Sequence, residues 1–151
     1  MSYAAYGTLI KRGDGAATEV FTTVLKVRDI GGPAYSVDIV DVTANDSSGG
    51  WEEVAPTILR TGDFTFNAVR NDRSTSHSTA GIRGDMIAKR KVNWRVYSPP
   101  STATSGFDKL AFAGYLTGMS QTDPMGDAKQ LDVTIKPTGT PTWTTTATAT
   151  S

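Results

Sequence analysis

The chain has 151 residues, of which 38% are hydrophobic and 20% charged, with 15 basic and 15 acidic side chains and no cysteine. This size and composition suit one globular domain, exclude disulfides and thiolate metal sites, and offer no apolar run long enough to span a membrane. Because the N-terminus lacks the charged start and apolar centre of a signal peptide, we expect the chain to be made in a cytosol.

The charges are unevenly distributed. Residues 1–59 hold four Lys or Arg against eight Asp or Glu, whereas residues 60–95 hold eight against three. The acidic region of one copy could therefore meet the basic region of another, which would steer association without determining the fold. A well-mixed, solvated surface is the alternative.

The first third of the chain has the pattern of β-strands. Two β-branched runs flank the glycine-rich turn at residues 12–17, which predicts a hairpin, and the second run extends to residue 30. Gly31, Gly32 and Pro33 end that run. A further strand is predicted at residues 35–43, and its period-two pattern places Tyr35, Val37 and Ile39 on one side.

The remainder predicts further strands at residues 62–69, 91–98, 107–117 and 130–136, with a short helix near residues 79–90. Inward faces are expected at Phe64, Phe66 and Ala68; at Val92, Trp94 and Val96, with Tyr97 outward; and at Leu131, Val133 and Ile135. About seven strands and one helix indicate a mainly β fold, a β-sandwich or barrel with one flanking α-helix. We expect one β domain at residues 1–143, then a Thr-rich C-terminal tail at residues 144–151 that is mobile unless a neighbour holds it.

Residues with catalytic or ligand-binding chemistry are few. Glu52 and Glu53 are adjacent, so their side chains point in different directions and do not form an acid/base pair. His77 is the only histidine and has no recognisable nucleophile motif around it, which favours a polar loop histidine. The spacing of Asp38, Asp41 and Asp46 does not match a calcium loop. We therefore predict no enzyme activity, no cofactor and no metal.

A cluster of basic residues surrounds the second tryptophan, Trp94. Clustered Lys and Arg beside an aromatic ring can bind nucleic acid, but Trp94 alternates with Val92 and Val96 and so belongs to a core face. The default interpretation of the cluster is therefore structural. Its members are Arg83, Lys89, Arg90, Lys91 and Arg95.

Five stretches, taken in order, resemble the major tail tube protein of long-tailed, non-contractile bacteriophages. They are GTLIKRGDGAATEVFTTVLKVRDIGGP, YSVDIVDVTANDSSGGWEEVAPTIL, GDFTFN, KVNWRVYS and LDVTIKPTGTPTW. The resemblance runs from Gly7 to Trp143. It implies a β-sandwich or barrel with a flanking helix and long assembly arms, also similar to the tube protein of the type VI secretion system.

The same resemblance implies a structural function. Six copies would form a ring, and rings would stack into a hollow virion tail tube around the tape-measure protein, capped by tail-tip (initiator) and terminator proteins. Genomic DNA would pass through the lumen without specific binding, and assembly would occur in the host bacterial cytoplasm, with no membrane partner. The acid-rich first half is the candidate for the lumen wall, since it would not adhere to phosphates. A monomeric β-sandwich module for decoration or adhesion, and a contractile-tail tube, are the alternatives.

The resemblance also implies an inter-subunit or inter-ring arm, anchored by Trp51 and ordered on docking. Trp51 capping its own core is the alternative. Glu52 and Glu53 would pair with basic residues of the next copy, for which Arg83, Lys89, Arg90 and Lys91 are the candidates. The N-terminal MSYAAY and the Thr-rich C-terminus would likewise become ordered against neighbours. The arm comprises Asp46, Ser47, Ser48, Gly49, Gly50, Trp51, Glu52, Glu53, Val54, Ala55, Pro56 and Thr57.

Overall fold

The computed structural model describes residues 6–99 and 106–147, and within them strands account for most of the regular structure. In chain order the elements are β1 (Leu9–Gly13), β2 (Phe21–Thr23), β3 (Val27–Gly31), β4 (Tyr35–Asp41), β5 (Val54–Thr61), β6 (Phe64–Val69), α1 (Ile82–Ile87), β7 (Lys91–Ser98), β8 (Phe107–Thr122) and β9 (Gln130–Thr146). A single 3₁₀ turn at Ser48–Gly50 lies between β4 and β5. The fold is mainly β with one short α-helix, as the sequence predicts.

Seven of the strands form one antiparallel sheet in the order β2-β1-β7-β8-β9-β6-β3. Strands β4 and β5 pair only with each other among the described residues and form a separate two-stranded sheet. The long strands β8 and β9, of 16 and 17 residues, are central to the main sheet. Strand β8 pairs with the β2-β1-β7 end of the sheet and β9 pairs with the β6-β3 end.

The main sheet is curled around one hydrophobic core. The rings of Phe66 on β6 and Trp94 on β7 lie 6.4 Å apart although β8 and β9 separate the two strands in the sheet. In a flat sheet three strand spacings would separate the backbones by roughly 14 Å. Ile82 of α1 is fully buried in the same core. The result is a barrel-like sheet flanked by a helix.

Period-two patterning identified the core faces of three strands correctly. The predicted inward residues of β6, β7 and β9 are all at most 6% exposed: Phe64, Phe66, Ala68, Val92, Trp94, Val96, Leu131, Val133 and Ile135. Tyr97 is the exception, because it is fully buried rather than outward, with the Lys11 ammonium 5.3 Å from its ring centre. The alternating pattern does not reveal this burial because the side chain is on the opposite side from Val96.

Element boundaries differ more from the sequence-based expectations. The predicted second strand is split into β2 and β3 by a turn in which Lys26 has a φ of 58°, and the helix spans six residues rather than about twelve. Strand β9 continues to Thr146, past the expected domain boundary after Trp143, where β8 pairs with it. Residues 148–151 and 1–5 of the two expected assembly segments lie outside the described residues.

Candidate functional site

The feature that distinguishes this chain from a closed barrel is a projecting hairpin. Strand β3 is followed after three residues by β4, and β5 is followed after two residues by β6. A hydrogen bond from the Gly62 amide to the Ala34 carbonyl, 2.5 Å long, spans the junction. Residues 27–41 and 54–69 therefore form one long antiparallel ribbon whose proximal half belongs to the main sheet. Its distal half, residues 35–61, is named here the distal hairpin and extends for roughly 25 Å at 3.3 Å per residue.

Contacts with the main sheet hold the distal hairpin at its base. The rings of Tyr35 and Trp143 meet edge to face at 5.4 Å, and the Lys136 ammonium donates a 2.9 Å hydrogen bond to the Thr61 carbonyl. Lys136 also lies 3.6 Å from the carboxylate of Asp63. These contacts fix the direction in which the hairpin leaves the sheet, but they do not cover its strands.

The register of the distal hairpin divides its side chains between two faces. Residues paired across the two strands share a face, so the pairs Tyr35 with Thr61, Val37 with Leu59, Ile39 with Pro56 and Asp41 with Val54 define the first face. We call this the apolar face. Its side chains are strongly exposed, with Ile39 at 64% and Leu59 at 79%. As predicted, Tyr35, Val37 and Ile39 are on one side of the strand.

The opposite, mixed face carries an ion pair. Asp38 and Arg60 are joined by a 2.7 Å salt bridge between Oδ2 and Nε, and Ser36 pairs with Arg60 across the strands. Val40, opposite Ala55, adds an exposed apolar group to this face. A bulge on β5 places Thr57 and Ile58 opposite Asp38. The middle of this face therefore carries a charged pair together with exposed apolar side chains at Val40 and Ile58.

The tip of the hairpin, residues 42–53, is closed by hydrogen bonds. The Val42 amide donates to the Glu53 carbonyl at 2.8 Å, and the Glu53 amide donates to Oγ1 of Thr43 at 2.9 Å. The Thr43 hydroxyl and amide both donate to the carboxylate of Asp41, at 2.5 and 2.8 Å. These bonds lower the pKa of Asp41, first through the Thr43 hydroxyl and then through its amide. The loop therefore has a defined closure even though all its side chains but one are exposed.

Trp51 lies at this tip and is 78% exposed, so it does not cap the core of its own subunit. The two preceding glycines have φ values of 68° and 71°, a left-handed conformation that L-residues rarely adopt. A Cβ added at Gly49 would come within 3.1 Å of the Trp51 ring. Gly49 and Gly50 therefore permit both the tight turn and the position of the indole.

The expected arm at residues 46–57 combines two kinds of structure. Residues 46–53 belong to the tip, whereas Val54, Ala55, Pro56 and Thr57 are strand residues of β5 paired with β4. The sequence pattern does not predict a strand in the second part of this arm. Pro56 and the bulge interrupt the alternation of β5, which hides the strand in the sequence.

The expected acidic and basic partners do not meet within the described chain. Glu52 and Glu53 are exposed and form no salt bridge to a described residue. The tip together with Asp41, the last residue of β4, contains four acidic side chains and no basic one.

The basic candidates lie around α1 and differ in their partners. Arg83 donates to Asp72 at 2.9 Å, and Arg90 approaches the buried Asp85 at 3.6 Å. Lys89 and Lys91 are exposed and, over the described residues, have no acidic partner. The two lysines are therefore the more available cations. We call Arg83, Lys89, Arg90 and Lys91 the basic corner.

His77 lies in the loop before α1, as the sequence predicts, but its side chain is buried rather than solvated. It is 1% exposed; its Nε2 lies 2.9 Å from the Leu25 carbonyl, and the Asn71 amide donates to Nδ1 at 3.1 Å. A neutral ring with the proton on Nε2 satisfies both bonds. Burial is the main cause that lowers its pKa. His77 thus joins the turn after β2 to the loop before α1.

The described residues contain no group of three His, Asp or Glu side chains arranged to hold a metal ion. Nor does any helix in the described part of the chain have the length and hydropathy to cross a membrane.

Comparisons with known proteins place the fold among phage-like tails. No protein family model matches the chain, and neither does any curated protein. Among solved structures, a chain from the C6-symmetric tail of an empty gene transfer agent particle has a TM-score of 0.72 at 17% identity, over 95% of this chain and 99% of that one. A chain of the anti-feeding prophage tube-terminating cap gives 0.70 at 11% identity, covering 96% and 92%.

A third similar structure is the SPP1 tail tube, with a TM-score of 0.66 at 10% identity over 92% of this chain and 76% of that one. Similar folds therefore occur in tails of both phage-like and contractile injection particles. The barrel-like sheet with its flanking helix is the fold of these tail and tube proteins.

Proposed function

We propose that this chain is the structural subunit of a bacteriophage tail tube. Six copies form a ring, and the rings stack around a tape-measure protein into a hollow conduit for DNA ejection into the host. The assembly begins on a tail-tip initiator, ends at a terminator protein and takes place in the host bacterial cytoplasm. The role is non-enzymatic, and the mature location is the virion tail.

Two observations carry this proposal: a fold likeness that covers nearly the whole chain, and a projecting hairpin that the described residues of its own chain leave uncovered. The similar chain in the gene transfer agent belongs to a tail of C6 symmetry and aligns over 95% of this chain. Isolated two-stranded hairpins are marginally stable in water. A distal hairpin with an exposed apolar face therefore favours a subunit that is completed by neighbours.

Charge supports the same interpretation. The acidic tip and the basic corner are different patches on one chain, and contact between unlike patches on identical copies is heterologous. Heterologous contacts continue into rings or filaments rather than stopping at a dimer. The tip residues 46–53 and the first residues of β5 form the proposed inter-subunit or inter-ring arm. The similar structures include both a phage tail tube and contractile injection systems, so they do not distinguish the two types of tail. The proposal of a non-contractile tail rests on the sequence resemblance.

The test is negative-stain electron microscopy of the purified protein across a concentration series, with and without tail-tip complex and tape-measure protein. Six-fold rings or hollow tubes with a regular axial repeat are expected. Compact particles of fixed size under every condition would contradict the proposal. They would support instead a monomeric decoration or adhesion module.

A further inference from the structure

Building on the proposed function, we infer that the distal hairpin docks through one face only. Its apolar face packs against a second copy of the chain, while the mixed face with Asp38 and Arg60 stays in water. The inference assigns the contact to Val37, Ile39 and Leu59 along the strands. Trp51 at the tip is then an additional anchor rather than the whole interface.

The first argument is exposure of the apolar face. Tyr35, Val37, Ile39, Val54 and Leu59 are between 45% and 79% exposed, and the register places them side by side. Monomeric proteins rarely leave contiguous apolar patches larger than a few hundred Å². Covering these side chains removes apolar surface from water, which favours association. No described part of the same chain covers them beyond the Tyr35 contact with Trp143.

The second argument is the cost of burying the opposite face. The side chains of Asp38 and Arg60 are 44% and 59% exposed, so their ion pair is solvated. Moving such a pair into an interface removes the hydration of both ions, which is unfavourable unless further hydrogen bonds replace the water. The Arg60 Nε bond to Asp38 at 2.7 Å uses one of five guanidinium donors. Water satisfies the others more readily than a packed partner does.

The third argument identifies the occupant. The tip that ends the apolar face carries Asp41, Asp46, Glu52 and Glu53 and no cation, so a partner must present positive charge beside an apolar contact. The basic corner meets that requirement on an identical chain: Lys89 and Lys91 have no acidic partner among the described residues, and Ile87 of α1 is 71% exposed. Complementary charge of this kind steers and orients association. A second copy is therefore the occupant.

Adjacent residues on opposite faces provide a direct test. The chain has no cysteine, so Ile39→Cys and Val40→Cys each create a single thiol, the first on the apolar face and the second on the mixed face. Both positions are exposed in the subunit, at 64% and 47%. Labelling rates with a maleimide are measured before and after assembly, and microscopy confirms that each variant forms tubes. Leu59→Cys repeats the measurement on the apolar face.

We expect assembly to slow labelling at Ile39→Cys and Leu59→Cys by about tenfold or more, because a packed thiol reacts only during transient opening. Labelling at Val40→Cys should be nearly unchanged. Tubes in which all three thiols stay reactive, or in which Val40→Cys alone is protected, would overturn the one-sided docking and leave the proposed function intact. Absence of tubes from the unmodified protein under every condition would overturn both.

Discussion

The guanidinium of Arg12 on β1 donates two hydrogen bonds to the carboxylate of Asp85 on α1. One runs from Nη2 to Oδ1 at 2.8 Å, and a shorter one runs from Nε to Oδ2. Asp85 is 1% exposed and the Arg12 side chain 12%. The pair connects the only described α-helix to the barrel-like sheet across 73 positions of sequence. It explains how a helix of six residues keeps a fixed place.

The first prediction is that Asp85→Ala destabilises the subunit by about 3 kcal/mol, because it leaves a nearly buried guanidinium without its carboxylate. Urea unfolding monitored by tryptophan fluorescence measures the change. Asp38→Ala is the matched control, since the side chains of Asp38 and its partner Arg60 are 44% and 59% exposed. The control should lose no more than about 1 kcal/mol. Equal losses in both variants would contradict a special role for the buried pair.

A second prediction concerns Gly84 within α1. Gly to Ala in a helix interior normally stabilises by up to about 1 kcal/mol. Here a Cβ at Gly84 would overlap the carbonyl oxygen of Thr79, which belongs to the backbone and cannot rotate away. We expect Gly84→Ala to destabilise by about 2 kcal/mol or more.

Thermal unfolding shows whether Gly84→Ala raises or lowers the stability of the protein. Gly126→Ala serves as its control because a Cβ there meets nothing within 4 Å and the backbone φ is not left-handed. The control should unfold at nearly the temperature of the unmodified protein. A stabilised Gly84→Ala variant would show that helix propensity outweighs the close approach.

The same glycine illustrates what the sequence can predict. Hydrophobic alternation identifies the inward residues of β6, β7 and β9, because each strand has one core face. It does not predict how short the helix is. Gly81 and Gly84 lie against the backbone of the preceding loop, where a Cβ would overlap it, and alternation carries no information about such contacts. Propensity alone treats those glycines as helix breakers.

The distal hairpin illustrates the complementary limit. Both of its strands expose apolar residues, so β5 has no buried face and its sequence lacks the alternation of apolar and polar residues that predicts a strand. Pro56 and the bulge interrupt any remaining alternation. The family resemblance singled out the tip residues from Asp46 to Glu53, and alternation placed Val37 and Ile39 on one side of a strand, but neither indicated that Leu59 shares their surface. That relation depends on strand register, which local sequence does not determine.

A third prediction follows from the buried histidine. Burial lowers the pKa of His77 below its usual 6.5, so the unfolded chain binds the proton more tightly than the folded one. The stability that the neutral ring contributes is therefore complete above about pH 6.5 and falls as the pH drops below that value. The unfolding free energy changes with pH through this one group by at most about 1.4 kcal/mol per pH unit. Nearby Asp72 opposes the shift and Lys26 adds to it.

Unfolding free energies between pH 5 and 8 measure the effect, and His77→Gln removes the titrating group. Because His77 is the only histidine, the slope near neutrality should largely disappear in that variant. A His77→Gln variant with the same pH dependence as the unmodified protein would contradict the assignment. Its absolute stability is a separate matter, since the bonds to Leu25 and Asn71 also change.

The fourth prediction separates assembly from folding at the tip. Trp51 is 78% exposed, so Trp51→Ala should change the free energy of unfolding by no more than about 0.5 kcal/mol. Loss of an interface anchor of about 2 kcal/mol should nevertheless raise the concentration needed for assembly roughly 30-fold. Sedimentation velocity and urea unfolding measure the two quantities. Trp94→Ala, a fully buried control, should lose about 3 to 5 kcal/mol of stability.

The final prediction tests whether the acidic tip meets the basic corner of another copy. Glu52→Lys combined with Glu53→Lys should weaken assembly, and so should Lys89→Glu combined with Lys91→Glu, because each places like charges opposite one another. None of these residues forms a salt bridge to a described residue, so neither double variant should unfold the subunit. Light scattering at low and high salt measures assembly, and the difference should shrink as salt screens the charges over about 8 Å or less.

The informative experiment combines both double substitutions in one chain. If the tip of one copy pairs with the corner of the next, a chain that carries both sets of reversals should recover assembly, since opposite charges face each other again. Lys129→Glu is the matched control, an exposed lysine distant in sequence from the basic corner, and should assemble normally. Failure of the combined variant to recover, with each double variant still folded, would separate the tip from this corner. The partner of the acidic tip would then be another basic surface. The docking of the apolar face would still be tested separately by the cysteine labelling.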